Sequence, residues 1–152
     1  MRGVRASIAV ASIVWSGTLA AQTAVEKPAP AAQDAPRTMK LSDGVFNAAQ
    51  AQRGQNLYGQ VCSVCHLADL TGSDQAPSLA GGDFLDRWDG QSVGDLVDRI
   101  RTSMPADNVG SLNTQSATDI VAYLLQANKF PAGMEELKAD RPLLKTILFK
   151  KP

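Results

Sequence analysis

The run Cys62-Ser63-Val64-Cys65-His66 constrains this chain more than any other feature, because it holds both cysteines and the one histidine of the sequence. Three residues apart near the end of a helical segment, the two thiols project to one side, and the imidazole follows directly. This is the spacing of c-type haem attachment. Each thiol adds across one of two vinyl groups on a porphyrin edge, and the neighbouring imidazole reaches under the ring to the iron. Three other chemistries account for the run less well. A disulfide across so short a loop is strained and leaves His66 without a role. A thioredoxin-like redox pair calls for a βαβ context, which the sequence lacks. A structural zinc site needs about four ligands, and these residues supply three.

One histidine excludes a bis-histidine site within one molecule. Met1 and Met39 fall in the leader and the tether described below, so Met104 and Met134 remain as neutral, soft donors for a second axial position. Pro105 biases Met104 toward an extended backbone directly after a helix, which presents the thioether from a loop. Met104 is the first candidate; Met134, or an open or lysine-ligated iron, are the alternatives.

The chain has 152 residues, 44% of them hydrophobic but only 5% aromatic, the size of one ordinary domain with a thin core. Its net charge of zero conceals a division. Residues 43–131 carry ten Asp and no Glu against five basic residues, a balance of −5, which argues against nucleic acid as a partner. Basic Met1–Arg5, the apolar run Ala6–Leu19 and the small residues Ala20 and Ala21 predict a secretory signal over 1–21. A retained membrane anchor is the alternative, although Ser7, Ser12, Ser16 and Gly17 interrupt the run. Cleavage would leave no membrane span and place the protein in the oxidising periplasm. Residues 22–42, with Pro28, Pro30 and Pro36 and no apolar face, read as a flexible tether. The folded domain spans 43–131, and 132–152 form a C-terminal extension whose apolar residues lie back along the domain or cover a partner.

Asn47 caps a helix running to about Val61, with Ala51, Gly54, Tyr58 and Val61 on one face. Asp83–Trp88 forms one short turn. Ser92 caps a helix from Val93 to about Thr102, and Asn113 caps one from Thr114 to about Asn128. Nothing alternates with period two, so the class is all-α. The sixteen residues Leu67–Gly82 have no element of their own, a length that suits a loop wrapped around a large cofactor.

Gly54-x-x-x-Tyr58-x-x-x-Cys62-x-x-Cys65-His66 resembles the amino-terminal helix of class I monohaem cytochromes c, and the resemblance covers about residues 47–131. It implies three main helices with short helical turns and long loops around one covalent haem c. It also implies that Gly54 lets the last helix cross closely near Ile120–Leu124, with Tyr123 at the contact. The family's proline, whose carbonyl accepts the ring N–H of the ligand histidine, corresponds to Pro77, for which a plain turn residue is the alternative. Trp88 corresponds to a family tryptophan at the haem edge, or is a core residue. More narrowly, Met104–Leu112 with Asp119–Leu125 is similar to cytochromes found with bacterial pyrroloquinoline-quinone alcohol and sugar dehydrogenases.

With His66 and Met104 both bound, iron has no vacant position for substrate, so the expected role is electron transfer rather than catalysis. The expected wrapping residues are Leu67–Leu79, Phe84, Ile100 and Leu112. The expectation is an exported carrier working between a dehydrogenase, of the quinoprotein type on the narrower resemblance, and a respiratory acceptor such as a terminal oxidase. A tightly bound cytochrome subunit of a quinoprotein dehydrogenase is the second reading. An open-site haem enzyme or gas sensor is the third.

Overall fold

The computed structural model describes residues 39–150; the expected signal and residues 22–38 of the expected tether lie outside them. Among the described residues six α-helices follow in order: α1 (Ala48–Val61), α2 (Ser63–His66), α3 (Gly82–Trp88), α4 (Val93–Ser103), α5 (Thr114–Ala127) and α6 (Arg141–Thr146), preceded by a 3-10 turn at Leu41–Asp43. Leu41, at the end of the expected tether, is buried. Among the described residues there is no β-strand, only isolated bridges joining Ser73 to Ala76 and Ser92 to Leu148.

The three expected caps are formed. Asn47 accepts from the Gln50 N–H at 2.9 Å and Asn113 from that of Ser116 at 2.8 Å. Ser92 and Asp95 make a reciprocal pair, the Asp95 N–H donating to the serine hydroxyl at 3.0 Å and the Ser92 N–H to the carboxylate at 2.9 Å. Each cap satisfies a backbone donor that the helix itself leaves free, worth about 0.5–2 kcal/mol.

The main packing is α1 against α5. Gly54 makes it possible: a Cβ at that position would collide with the carbonyl of Asp119. One turn on, the rings of Tyr58 and Tyr123 meet with centroids 5.3 Å apart.

The extension is part of the core. Gln50, fully buried on α1, clamps the backbone of Leu137 from both sides: its Oε1 accepts from the Leu137 N–H at 2.7 Å and its Nε2 donates to the Leu137 carbonyl at 2.9 Å. Arg53 bridges Asp119 at 3.1 Å and Glu136 at 2.8 Å. Beyond α6 the chain runs extended beside Gly90–Val93, with N–H to carbonyl bonds of 2.8–2.9 Å at both Ile147 and Phe149. Ile147 and Phe149 point inward and are buried, whereas Leu148 between them is 43% exposed, the alternation an extended segment imposes.

Arg141 and Lys145 both pair with Asp98 at 2.9 Å, and Lys145 also reaches Asp95. The hydrogen bond from Lys145, followed by those from Ser92, holds the Asp95 carboxyl down at about 2 against its ordinary 3.8. Because the folded state binds this proton more weakly, the contribution is full above about pH 4 and fades as pH falls toward 2. Proteolysis or hydrogen exchange of residues 137–149 is therefore expected to speed up in that window first. Lys145→Gln is expected to reproduce part of that loosening at neutral pH, and no change in either case would contradict the role given to these pairs.

Of the ten aspartates in residues 43–131, Asp95, Asp98 and Asp119 pair with cations.

Candidate functional site

The peptide geometry changes at Cys62. It ends α1 with its N–H bonded to the Tyr58 carbonyl at 2.9 Å, and the single turn α2 carries Cys65 and His66 onward. After His66 the chain reverses through Leu67 at φ 61°, a conformation costly for a branched residue. The Tyr58 hydroxyl holds this bend by donating to the Leu67 carbonyl at 2.6 Å. Burial pushes the Tyr58 hydroxyl well above its ordinary range, so it stays a donor at all physiological pH.

The residues that follow are a loop stapled back on the same motif. The Gly72 N–H donates to the His66 carbonyl at 3.1 Å, the Ser73 hydroxyl to the Cys65 carbonyl at 2.9 Å, and the Leu79 N–H to the Leu70 carbonyl at 2.8 Å. Gly72, at φ 78°, is where the two arms touch, since a Cβ there would meet the backbone of Ala76 and Ser78. This path brings the Pro77 carbonyl to 2.8 Å from His66 Nδ1. A carbonyl can only accept, so Nδ1 carries the proton and Nε2 keeps its lone pair in the neutral ring. His66 is thereby fixed in the tautomer and orientation a metal ligand needs.

Asn128, buried at the end of α5, secures the far end of the loop. Its Oδ1 accepts from the Gly81 N–H at 3.0 Å, and its Nδ2 donates to the Leu79 carbonyl at 3.0 Å and to the Leu124 carbonyl at 2.8 Å. Asn128→Leu keeps the volume but strands these loop groups, at about 1–3 kcal/mol each. We expect a loss of about 2–4 kcal/mol in denaturant unfolding together with faster exchange of the His66 ring N–H in proton NMR; retained stability and a retained ring signal would show that the loop holds its shape without the clamp.

Cys62, Cys65, His66, Pro77, Trp88 and Met104 all line one cavity of about 590 Å³. Met104 leaves α4 extended, with φ −130° and ψ 150°, as its proline neighbour requires. Leu79, Leu96, Ile100, Ile120 and Leu124 complete an apolar wall, with Arg87, Arg99 and Asp107 among the polar lining. Leu96, Ile120 and Leu124 had no assigned part in the site; they are ordinary members of helical stripes, and only packing selects them. Phe84 and Leu112, expected to wrap the cofactor, are buried but do not line this cavity. Phe84 instead stacks with Trp88 and Phe149 at 6.3 and 6.1 Å, so the extension supports the tryptophan wall from behind. Met134 is 91% exposed and lines no part of the cavity.

The chemistry of the donor set suits a covalent haem. The cysteines are unpaired. Burial, followed by the nearness of Cys65, pushes the Cys62 thiol up to about 11, so it stays an undissociated thiol at neutral pH. A histidine with its Nε2 lone pair kept available and a methionine line the same apolar chamber, whose volume falls in the range of cofactor sites, roughly 300–1,000 Å³. Among the described residues, no group of three or more His, Cys, Asp and Glu is placed to hold a metal ion.

Residues 49–124 match the family model described as cytochrome c oxidase, cbb3-type, subunit III. The chain belongs to that family. It is accordingly a c-type cytochrome domain, and the helical architecture of its described residues, which contain no strand, is that of a class I cytochrome c. This cytochrome chain matches no curated protein. It is similar to a solved structure, the sulfane dehydrogenase SoxCD from Paracoccus pantotrophus, at 21% identity and a TM-score of 0.46, over 84% of this chain and 68% of that one. No helix among the described residues of the cytochrome is long and apolar enough to cross a membrane.

Proposed function

We propose that this cytochrome is an exported, periplasmic carrier of single electrons, with one haem c attached through Cys62 and Cys65 and ligated by His66 and Met104. The observation that carries the reading is the meeting of all four residues in one apolar cavity, with His66 Nδ1 already engaged by Pro77. When bound, the haem supplies a one-electron iron couple. The chain does the rest. The Nδ1–H bond to Pro77 keeps Nε2 a good donor, the thioether of Met104 favours the reduced metal, and the apolar wall disfavours the added charge of the oxidised state.

Partners approach at the mouth of the cavity. Val64, 82% exposed, lines it, and Leu67 and Val109, also exposed, adjoin lining residues. A small apolar rim of this kind supports brief, weak docking rather than a permanent interface. The resemblance of residues 104–112 and 119–125 to cytochromes of quinoprotein systems supports a quinoprotein alcohol or sugar dehydrogenase as donor and a terminal oxidase as acceptor. The reading as a tightly bound subunit is weakened by the extension, whose Leu144, Ile147 and Phe149 are consumed inside its own domain.

Stopped-flow mixing of the oxidised protein with a reduced quinoprotein dehydrogenase tests the function. Rapid one-electron reduction, with the two proteins separating on gel filtration, is the expected result. Reduced protein that binds carbon monoxide readily at neutral pH would instead favour an open-site enzyme or sensor.

A further inference from the structure

A second cavity, of about 470 Å³, shares no lining residue with the first. Its floor is apolar, formed by Leu41, Phe130 and Leu148 with Met39 and Pro131 beside them. Among the described residues, its charged lining consists of Lys40, Lys129 and Lys150, with no acid. The other two described lysines differ: Lys145 is tied to Asp95 and Asp98, and Lys138 lies outside this lining.

Lys129 is the informative residue. The Lys129 N–H bonds to the Gln126 carbonyl and the Phe130 N–H to the Leu125 carbonyl, both at 3.0 Å, the pair of bonds that closes a helix through a left-handed residue. That residue is glycine by default, yet here a lysine holds φ 68°. Backbone strain retained by a long cationic side chain at a cavity points to a task for the side chain. Leu148 lines this cavity and is partly exposed there.

We propose that this cavity binds a single-chain anionic amphiphile of the fatty-acid carboxylate class, its headgroup held by the three lysines and its chain laid on Leu41, Phe130 and Leu148. Three lysines in the described lining, with the nearest carboxylate, Asp43, bonded to the Lys40 N–H and the Ser42 hydroxyl, disfavour cationic ligands and leave neutral ones unanchored. The apolar floor equally disfavours a small hydrophilic anion, which would lose hydration without gaining contact.

Titration calorimetry of the intact haem-loaded protein with decanoate below its micelle concentration tests this, with decyltrimethylammonium, decanol and inorganic phosphate as comparisons. The expected result is one decanoate per chain and much weaker binding of the other three. Each of Lys40→Gln, Lys129→Gln and Lys150→Gln should weaken decanoate by up to about fivefold, and the triple variant by about tenfold or more. Leu148→Ser, at an exposed position, should also weaken it. Lys129→Gly is expected to raise the melting temperature by a few degrees while weakening decanoate, separating the strain from the binding. Absence of decanoate binding, equal affinity for decyltrimethylammonium, or a triple variant that binds unchanged would overturn the proposal. So would protein that sediments with anionic phospholipid vesicles yet ignores decanoate, since the occupant would then be a membrane surface.

Discussion

Gly54→Ala is expected to cost the protein a large share of its stability. The added Cβ falls on the carbonyl of Asp119 and on the peptide that joins it to Ile120, both backbone, so no rotamer change relieves the contact. The two long helices must part, and with them go the Tyr58–Tyr123 contact and the buried Gln50–Asp119 bond of 3.1 Å that sit along the same crossing. Overpacking in a core costs about 1–3 kcal/mol when side chains can give way. Here backbone must move, so the loss should exceed about 3 kcal/mol, a large share of the roughly 5–15 kcal/mol that holds a domain of this size. Urea unfolding of the haem-loaded variant measures it; a midpoint close to that of the parent protein would mean that the helices cross less tightly than the geometry requires. Gly59, on the same helix, has open space around it and makes the matched control, since an alanine there should be neutral or slightly stabilising.

The second large effect is expected at Met104. Its side chain lines the cavity from the end of α4, and no other methionine among the described residues lines it. Met104→Ala should remove a neutral soft ligand, let the reduced protein take up carbon monoxide, and lower the midpoint potential by at least about 59 mV, a tenfold change in the one-electron equilibrium. Met134→Ala should leave spectrum and potential unchanged, as an exposed residue outside the cavity must. The opposite pattern would move the second ligand to Met134 and break the link between the cavity and the iron.

The parts of the fold that could be read from the amino acids are those specified locally. Caps at Asn47, Ser92 and Asn113 and apolar residues at helical spacing mark α1, α4 and α5 to within about a residue at their ends. Gly54 and Tyr58 are assigned to a crossing through the resemblance to class I cytochromes c, and the packed helices show the physical reason, since a Cβ at Gly54 would strike the Asp119 carbonyl. What escaped depends on distant partners. Gln50 looks like any polar helix residue, yet it is fully buried because its amide matches the backbone of Leu137, 87 positions away. The alternation of Ile147, Leu148 and Phe149 is too short to register as an extended segment until Gly90–Val93 is beside it.

The site divides along the same line. The Cys62-Ser63-Val64-Cys65-His66 run states its chemistry through spacing alone, whereas the clamp at Asn128 and the cavity wall at Leu96, Ile120 and Leu124 are visible only once the helices are packed. Phe84 and Leu112 are apolar enough to line a haem, but α3 turns Phe84 toward Phe149 and Trp88 rather than toward the cavity. Apolar character decides whether a side chain is buried; the path of the backbone decides against what.

Intact mass spectrometry of the matured protein, taken before and after acid–acetone extraction, tests the central claim most directly. A chain heavier by one haem in both measurements, still coloured after extraction, is the predicted result. A chain at its bare mass, or pigment that leaves with the solvent, would contradict attachment through Cys62 and Cys65.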